Sequence, residues 1–194
     1  MKNGDVPTLH DFRGMGGGVV KALLCDPEDG VCGVGVKEIG FGVSPEGKRR
    51  VMVRKAYMLQ FITDGSGVFC GSRFGCGDVL FSTPCEPEIR ETVGGERYSC
   101  AWICFVGENA ERLISECGIA PAGNIKNTVF PCKRCAEAAE YLIGAACASY
   151  GERSGQLLLS ILYGVLSMLD GAESLREDSY VDAACRYIKE NFAF

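Results

Sequence analysis

A mainly β domain followed by helices is the fold class this sequence predicts, on three observations. Of its 26 glycines, 19 lie at or before Gly107, a density that suits tight turns between short strands. From Val31 to Phe105, short apolar runs alternate with Gly, Asp and Pro punctuation, which is how compact antiparallel β-structure is written. Beyond Phe105 the apolar period lengthens from 2 to about 3.6, and the sequence becomes helical.

The elements follow in order. Residues 1–30, with Pro7, the cluster Gly14 to Gly18 and the acidic turn ending at Gly30, are expected to form an arm. Strands are expected over about 31–43, 50–63, 67–74, 78–83, 87–93 and 97–105, with the Asp64 to Gly67 segment and Gly94-Gly95 supplying the positive φ that hairpin turns need. This spacing fits a sandwich or a small barrel, and pattern alone does not separate them.

Among the helices, residues 108–117 (ENAERLISEC) are amphipathic and stop at Gly118, a C-terminal signal. Residues 132–150 form a second, Ala-rich helix. The third runs from near Ser154 to about Leu169 and is apolar on every side, so it must be covered on more than one side. Packing on the barrel or the preceding helix is expected for one face. A second copy of the chain is expected on the other, through Leu158, Ile161, Val165 and Met168; burial of the whole helix within one chain is the alternative.

Composition bounds the function. With 194 residues, 47% of them hydrophobic, the chain can build one good core. A net charge of −5, from 20 Lys+Arg against 25 Asp+Glu, makes it a poor partner for nucleic acid by itself. No apolar stretch approaches the ~18 to 20 residues of a membrane-spanning helix, and no apolar core follows Lys2 as a signal peptide would require. A cytoplasmic location without membrane association is therefore expected. In a reducing compartment the 12 cysteines are expected to be reduced, metal-free, small apolar side chains.

Several chemistries are disfavoured by what is missing. Metal centres of barrel enzymes need two or three imidazoles converging with a carboxylate, and this chain has one histidine, His10, in the expected arm. The same shortage argues against hydrolysis by a serine or cysteine nucleophile. No catalytic residue, metal or cofactor is expected, and the chain is not read as an enzyme. Val19 stands where the last glycine of a dinucleotide fingerprint belongs, and the Asp64 to Gly67 turn lacks a Lys-Ser/Thr pair. Cys132-x-x-Cys135 sits at an expected helix start, yet no second ligand pair accompanies it. A cysteine-based redox or metal sensor is the competing reading.

The basic run Lys48 to Lys55 carries five positive residues. In a strand, Lys48, Arg50, Met52 and Arg54 point one way, and Arg49, Val51, Val53 and Lys55 the other. Two readings stay open: an edge strand protected by charge, or guanidinium groups at the mouth of a binding site. Further along, Glu88, Arg90 and Thr92 share one strand face, and Cys100, Trp102 and Cys104 share another. An aromatic wall beside convergent polar groups is what a small-molecule site requires.

Three segments, 57–69 (YMLQFITDGSGVF), 77–84 (GDVLFSTP) and 98–105 (YSCAWICF), carry in order Tyr57-x-Leu59, Gly65-x-Gly67, Gly77-Asp78 before Pro84, and Trp102-x-x-Phe105. In this order they resemble the effector-binding domain of AraC/XylS-type transcriptional regulators, over roughly residues 45–194. The resemblance implies a cupin-like double-stranded β-helix barrel over 31–107, then a helical dimerisation segment over 108–175. Residues 179–194 resemble the opening helix of the family's DNA-binding domain. A homodimer is implied, with DNA contacted only through a further C-terminal helix-turn-helix domain. The effector implied is a small polar molecule, a carbohydrate by analogy with the family's arabinose-binding member. By the same analogy, Arg50, Arg90 and Trp102 stand where that member contacts its sugar, and Cys100 stands in place of a pocket histidine. With Arg54 and Glu88, these residues make up the expected ligand site.

Overall fold

The computed structural model describes residues 18–24, 33–44, 49–92, 97–120, 123–148 and 155–169. Ten strands and three helices follow in chain order: β1 (Gly18–Leu24), β2 (Gly35–Val43), β3 (Arg50–Val53), β4 (Tyr57–Asp64), β5 (Ser66–Phe69), β6 (Ser72–Gly75), β7 (Asp78–Ser82), β8 (Pro87–Glu91), β9 (Ser99–Val106), α1 (Ala110–Glu116), β10 (Thr128–Pro131), α2 (Cys135–Ala148) and α3 (Gly155–Leu166). The strands form a six-stranded sheet, β1-β2-β9-β4-β7-β10, and a four-stranded sheet, β3-β8-β5-β6. All pairings are antiparallel. The fold is mainly β, a cupin-like barrel of two sheets followed by helices.

The large sheet is apolar on both faces. On one face Ile39, Phe41, Leu59, Phe61, Val79, Phe81, Ile103 and Phe105 join a core with α1, α2 and α3. On the other, Met58, Ile62, Leu80, Cys100, Trp102 and Cys104 meet Phe69, Phe74 and Tyr98 in a second core, between the sheets. Double coverage explains why β9 is apolar or buried at nearly every position instead of alternating.

Helix α2 buries Cys135, Ala138, Ala139, Leu142, Ile143 and Ala146, a stripe at helical spacing that packs on β4, β9 and β2. Helix α3 packs on β2 and α2. It buries Leu158, Leu159, Ile161, Leu162, Val165 and Leu166 and exposes only the narrow stripe Gln156, Ser160, Tyr163 and Ser167. The expected dimer surface is corrected accordingly. Leu158, Ile161 and Val165 belong to the chain's own core, and Met168 is half-buried against it; the all-round apolar surface is covered by sheet and helix of one chain.

Other expectations change too. The expected arm contributes β1, which pairs with β2. The expected strand 50–63 is two strands in different sheets, broken at Arg54 to Ala56. The expected strand 67–74 is a hairpin turning at Cys70 and Gly71, with φ of 49° and 88°, the two positive values of a type I′ turn. Strand β10, inside the segment expected to be helical, pairs with β7. Residues 1–17, His10 among them, and residues 179–194 lie outside the described residues. Among the described residues no helix is long and apolar enough to cross a membrane.

The turn from β4 to β5 depends on Gly65. Its φ is 78°, and a Cβ there would fall 1.9 Å from the Arg97 carbonyl oxygen, so both conformation and space demand glycine. Gly65→Ala is expected to destabilise the fold by more than about 1 kcal/mol, read as a lower urea midpoint; an unchanged midpoint would contradict this packing.

Candidate functional site

Between the sheets, register decides which side chains meet. Across the large sheet, Gly40 of β2, Trp102 of β9, Gln60 of β4 and Leu80 of β7 are paired in sequence. The neighbouring row is Glu38, Cys104, Met58 and Ser82, and Gly42 and Ile62 flank Cys100. All of these share the inner face, because side chains at alternate positions point the same way. Gly40 and Gly42 place no side chain there, opposite Trp102 and Cys100.

The small sheet supplies the charge. Strand β8 pairs with β3, aligning Met52 with Glu88 and Arg50 with Arg90, and with β5, aligning Phe69 with Arg90. Glu88 is 0% exposed and Arg90 6%. Ser82 Oγ donates to Glu88 Oε2 at 2.5 Å. Arg54 Nε donates to the same oxygen at 3.0 Å, and Arg54 Nη2 reaches Oε1 at 3.4 Å. The Arg54 side chain is 26% exposed, so it links the cluster to the surface. Its backbone is held by the Cys85 N–H, which donates to the Arg54 carbonyl at 2.8 Å.

Of the two arginines Arg90 stands closer to Glu88, with Nε 2.6 Å from Oε1, and its guanidinium lies 5.4 Å from the Phe69 ring centroid, within cation–π range. The guanidinium also hydrogen-bonds the Tyr98 hydroxyl. Nη2 has no hydrogen-bond partner among the described residues, and neither has Gln60 Oε1. Trp102 Nε1 donates to Glu38 Oε1 at 2.6 Å, and Gln60 Nε2 lies 3.7 Å from Cys100 Sγ.

Electrostatics follow from burial and these partners. Burial pushes the Glu88 carboxyl up, but the Arg90 and Arg54 charges and the Ser82 hydrogen bond outweigh it and hold it below its ordinary value of 4.5. For Arg90, burial acts downward and is outweighed by Glu88 and Tyr98, so the guanidinium is held charged. Burial pushes Cys100 up to about 11 and Cys104 to about 12. Cys135, in the C-x-x-C segment, rises to about 12 from the same cause. These thiols stay protonated at neutral pH, and a thiol in that state is neither a good nucleophile nor a metal ligand.

Of the expected site residues, Arg54, Glu88, Arg90, Cys100 and Trp102 come together on the inner faces. Arg50 does not. It is aligned with Arg90 in the ladder yet exposed, because β3 is the edge of the small sheet; that expectation is corrected. Val51 and Val53, on the opposite face of β3, are each 61% exposed. Sequence reasoning missed Glu38, Gln60, Ser82 and Tyr98. Gln60 carried a signal, a polar residue in phase with Met58 and Ile62 in an apolar strand. Glu38 did not, since a bulge between Val36 and Glu38 resets the alternation of β2.

No family model and no curated protein matches this sequence. Among solved structures, the chain is similar to ToxT from Vibrio cholerae, solved bound to (E)-4-(8-methylnaphthalen-1-yl)but-3-enoic acid, at 10% identity over 82% of this chain and 67% of that one, with a TM-score of 0.46. It is also similar to YhaK from Escherichia coli, at 11% identity over 57% of this chain and 49% of that one, TM-score 0.39. A cupin 2 conserved barrel domain protein from Salinispora arenicola aligns at 18% identity over 49% of this chain and 82% of that one, TM-score 0.33. The chain thus spans about half the length of YhaK. All three scores lie below 0.5.

Glu88 gives the cluster a pH signature. A carboxyl whose folded pKa is depressed contributes stability that is present above its ordinary pKa and lost as pH falls through the folded value. Glu88→Gln is expected to cost about 3 to 5 kcal/mol at pH 7, since it leaves two guanidinium groups without their carboxylate. In denaturant unfolding the gap to wild type should close as the pH drops below 4.5. A gap that stays constant down to low pH would contradict the ion-pair assignment.

Proposed function

We propose that this chain is the effector-sensing domain of a transcriptional regulator, with a small polar molecule bound between the two sheets. One observation carries the proposal. Arg90 is almost wholly buried, faces the barrel interior beside Phe69, and keeps its guanidinium Nη2 without a hydrogen-bond partner among the described residues. A buried donor left unpaired costs about 1 to 3 kcal/mol, so a fold that retains one is arranged for a partner that arrives from outside. Trp102, Gln60 and the glycine-faced stretch of β2 provide the aromatic wall, the second polar contact and the open backbone that such a site uses.

The resemblance to AraC/XylS-type regulators supplies the rest of the proposal. On that analogy a second copy of the chain is the partner, and DNA is bound through a further helix-turn-helix domain. With Leu158, Ile161 and Val165 in the core, a second copy would have to use other surface, and α3 offers only the stripe through Tyr163. Binding regulates by population shift: the effector must favour one arrangement of the regulator over another, or nothing changes. The chain acts as a sensor and not as a catalyst, in keeping with its single histidine.

Trp102 is the only tryptophan of the chain, and it reports on the interior directly. An effector should shift its emission and raise the melting temperature together, with about 2.7 kcal/mol of stabilisation at a hundredfold excess over Kd. Effectors that act on the regulator without moving either signal would refute an interior site.

A further inference from the structure

Counting donors and acceptors around Glu88 narrows the ligand. An ionised carboxylate offers about four lone-pair sites. Those of Glu88 face Ser82 Oγ, Arg54 Nε, Arg54 Nη2 and Arg90 Nε, so none remains for Arg90 Nη2. A guanidinium is a rigid planar fork. With Glu88 and Tyr98 as its neighbours and Nη2 unpaired among the described residues, Arg90 has a donor left for a further planar acceptor.

Charge points the same way. Two guanidinium groups converge on one carboxylate, leaving the cluster one positive charge in excess. Glu38 does not cancel it: it accepts from the Trp102 indole and forms no ion pair with either arginine among the described residues. Cys100 and Cys104 are protonated and contribute no anion. A neutral sugar would satisfy donors and leave the excess charge uncompensated. A dianion such as phosphate would replace it with an excess of the opposite sign beside Glu88 and Glu38, which a poorly solvated interior penalises. One negative charge on a planar, two-oxygen acceptor balances both counts.

The remaining walls set the body of the molecule. Met58, Ile62, Phe69 and Leu80 are apolar and buried. We infer that the ligand is a small monocarboxylate with a compact apolar body, its carboxylate held by Arg90 and reached past the half-exposed Arg54. This inference rests on the proposed interior site and replaces the carbohydrate expectation with a different chemical class.

Matched probes separate the two levels. Hexanoate and phenylacetate, each against its amide, with D-glucose, L-arabinose and inorganic phosphate alongside, are titrated by calorimetry and Trp102 emission up to about 10 mM, the range of weak millimolar Kd. The carboxylates should saturate, and their amides should bind at least tenfold more weakly. Arg90→Gln should abolish carboxylate binding, and Arg54→Gln, at a half-exposed position whose loss the fold tolerates more readily, should weaken it. Equal binding of acid and amide, tighter binding of phosphate, or saturation by a sugar alone would overturn the carboxylate inference while leaving the interior site standing. If no probe of any class alters Trp102 emission or produces heat, both the inference and the interior site are refuted.

Discussion

A sheet that is apolar on both faces has to be covered twice, and most of this architecture follows from that constraint. Strands β4, β7 and β9 carry Leu59, Phe61, Phe81, Ile103 and Phe105 on one side and Met58, Ile62, Leu80, Cys100 and Trp102 on the other. Helices α2 and α3 cover the first side, and the small sheet covers the second. Burying these aromatic and aliphatic side chains contributes about 1.5 to 3 kcal/mol each. The helix that is apolar all round is consumed by the same requirement, which is why its leucines face inward.

Coverage on both sides makes the interior an expensive place for charge. Replacing a buried ion pair by well-packed apolar residues is often neutral or stabilising, so Arg54, Glu88 and Arg90 are not explained by stability. Their geometry is nevertheless specific. Glu88 accepts from both sheets, through Ser82 on β7 and Arg54 beside β3, while Arg90 Nη2 keeps a donor in reserve. A cluster that joins two sheets and is incomplete by itself can couple an arriving ligand to their separation. That is the physical content of the proposed effector sensing.

Much of this was legible in the sequence. The apolar runs of β4, β7 and β9, the stop at Gly118 and the glycine turn at Gly65 followed from period and punctuation. So did the shared faces of Glu88 with Arg90 and of Cys100 with Trp102, since period 2 has only two outcomes. The misses have physical causes. The break between β3 and β4 falls at Arg54 to Ala56, with neither Gly nor Pro to mark it, and the β5–β6 turn uses Cys70 at a position that favours Asn or Gly. Strand β10 is four residues long and takes its conformation from pairing with β7. Arg50 was misplaced because alternation gives a face but not a depth, and Glu38 was missed because the bulge before it reverses the count.

The central claim is that Glu88 and Arg90 act as one unit inside the barrel. A double-mutant cycle with Glu88→Gln and Arg90→Met, followed by chemical unfolding at neutral pH, tests it most directly. The double variant should be more stable than the sum of the single effects predicts, with a coupling energy above about 1 kcal/mol, because removing the cation relieves the charge stranded by loss of the carboxylate. Single effects that add to within about 0.3 to 0.5 kcal/mol would contradict the account.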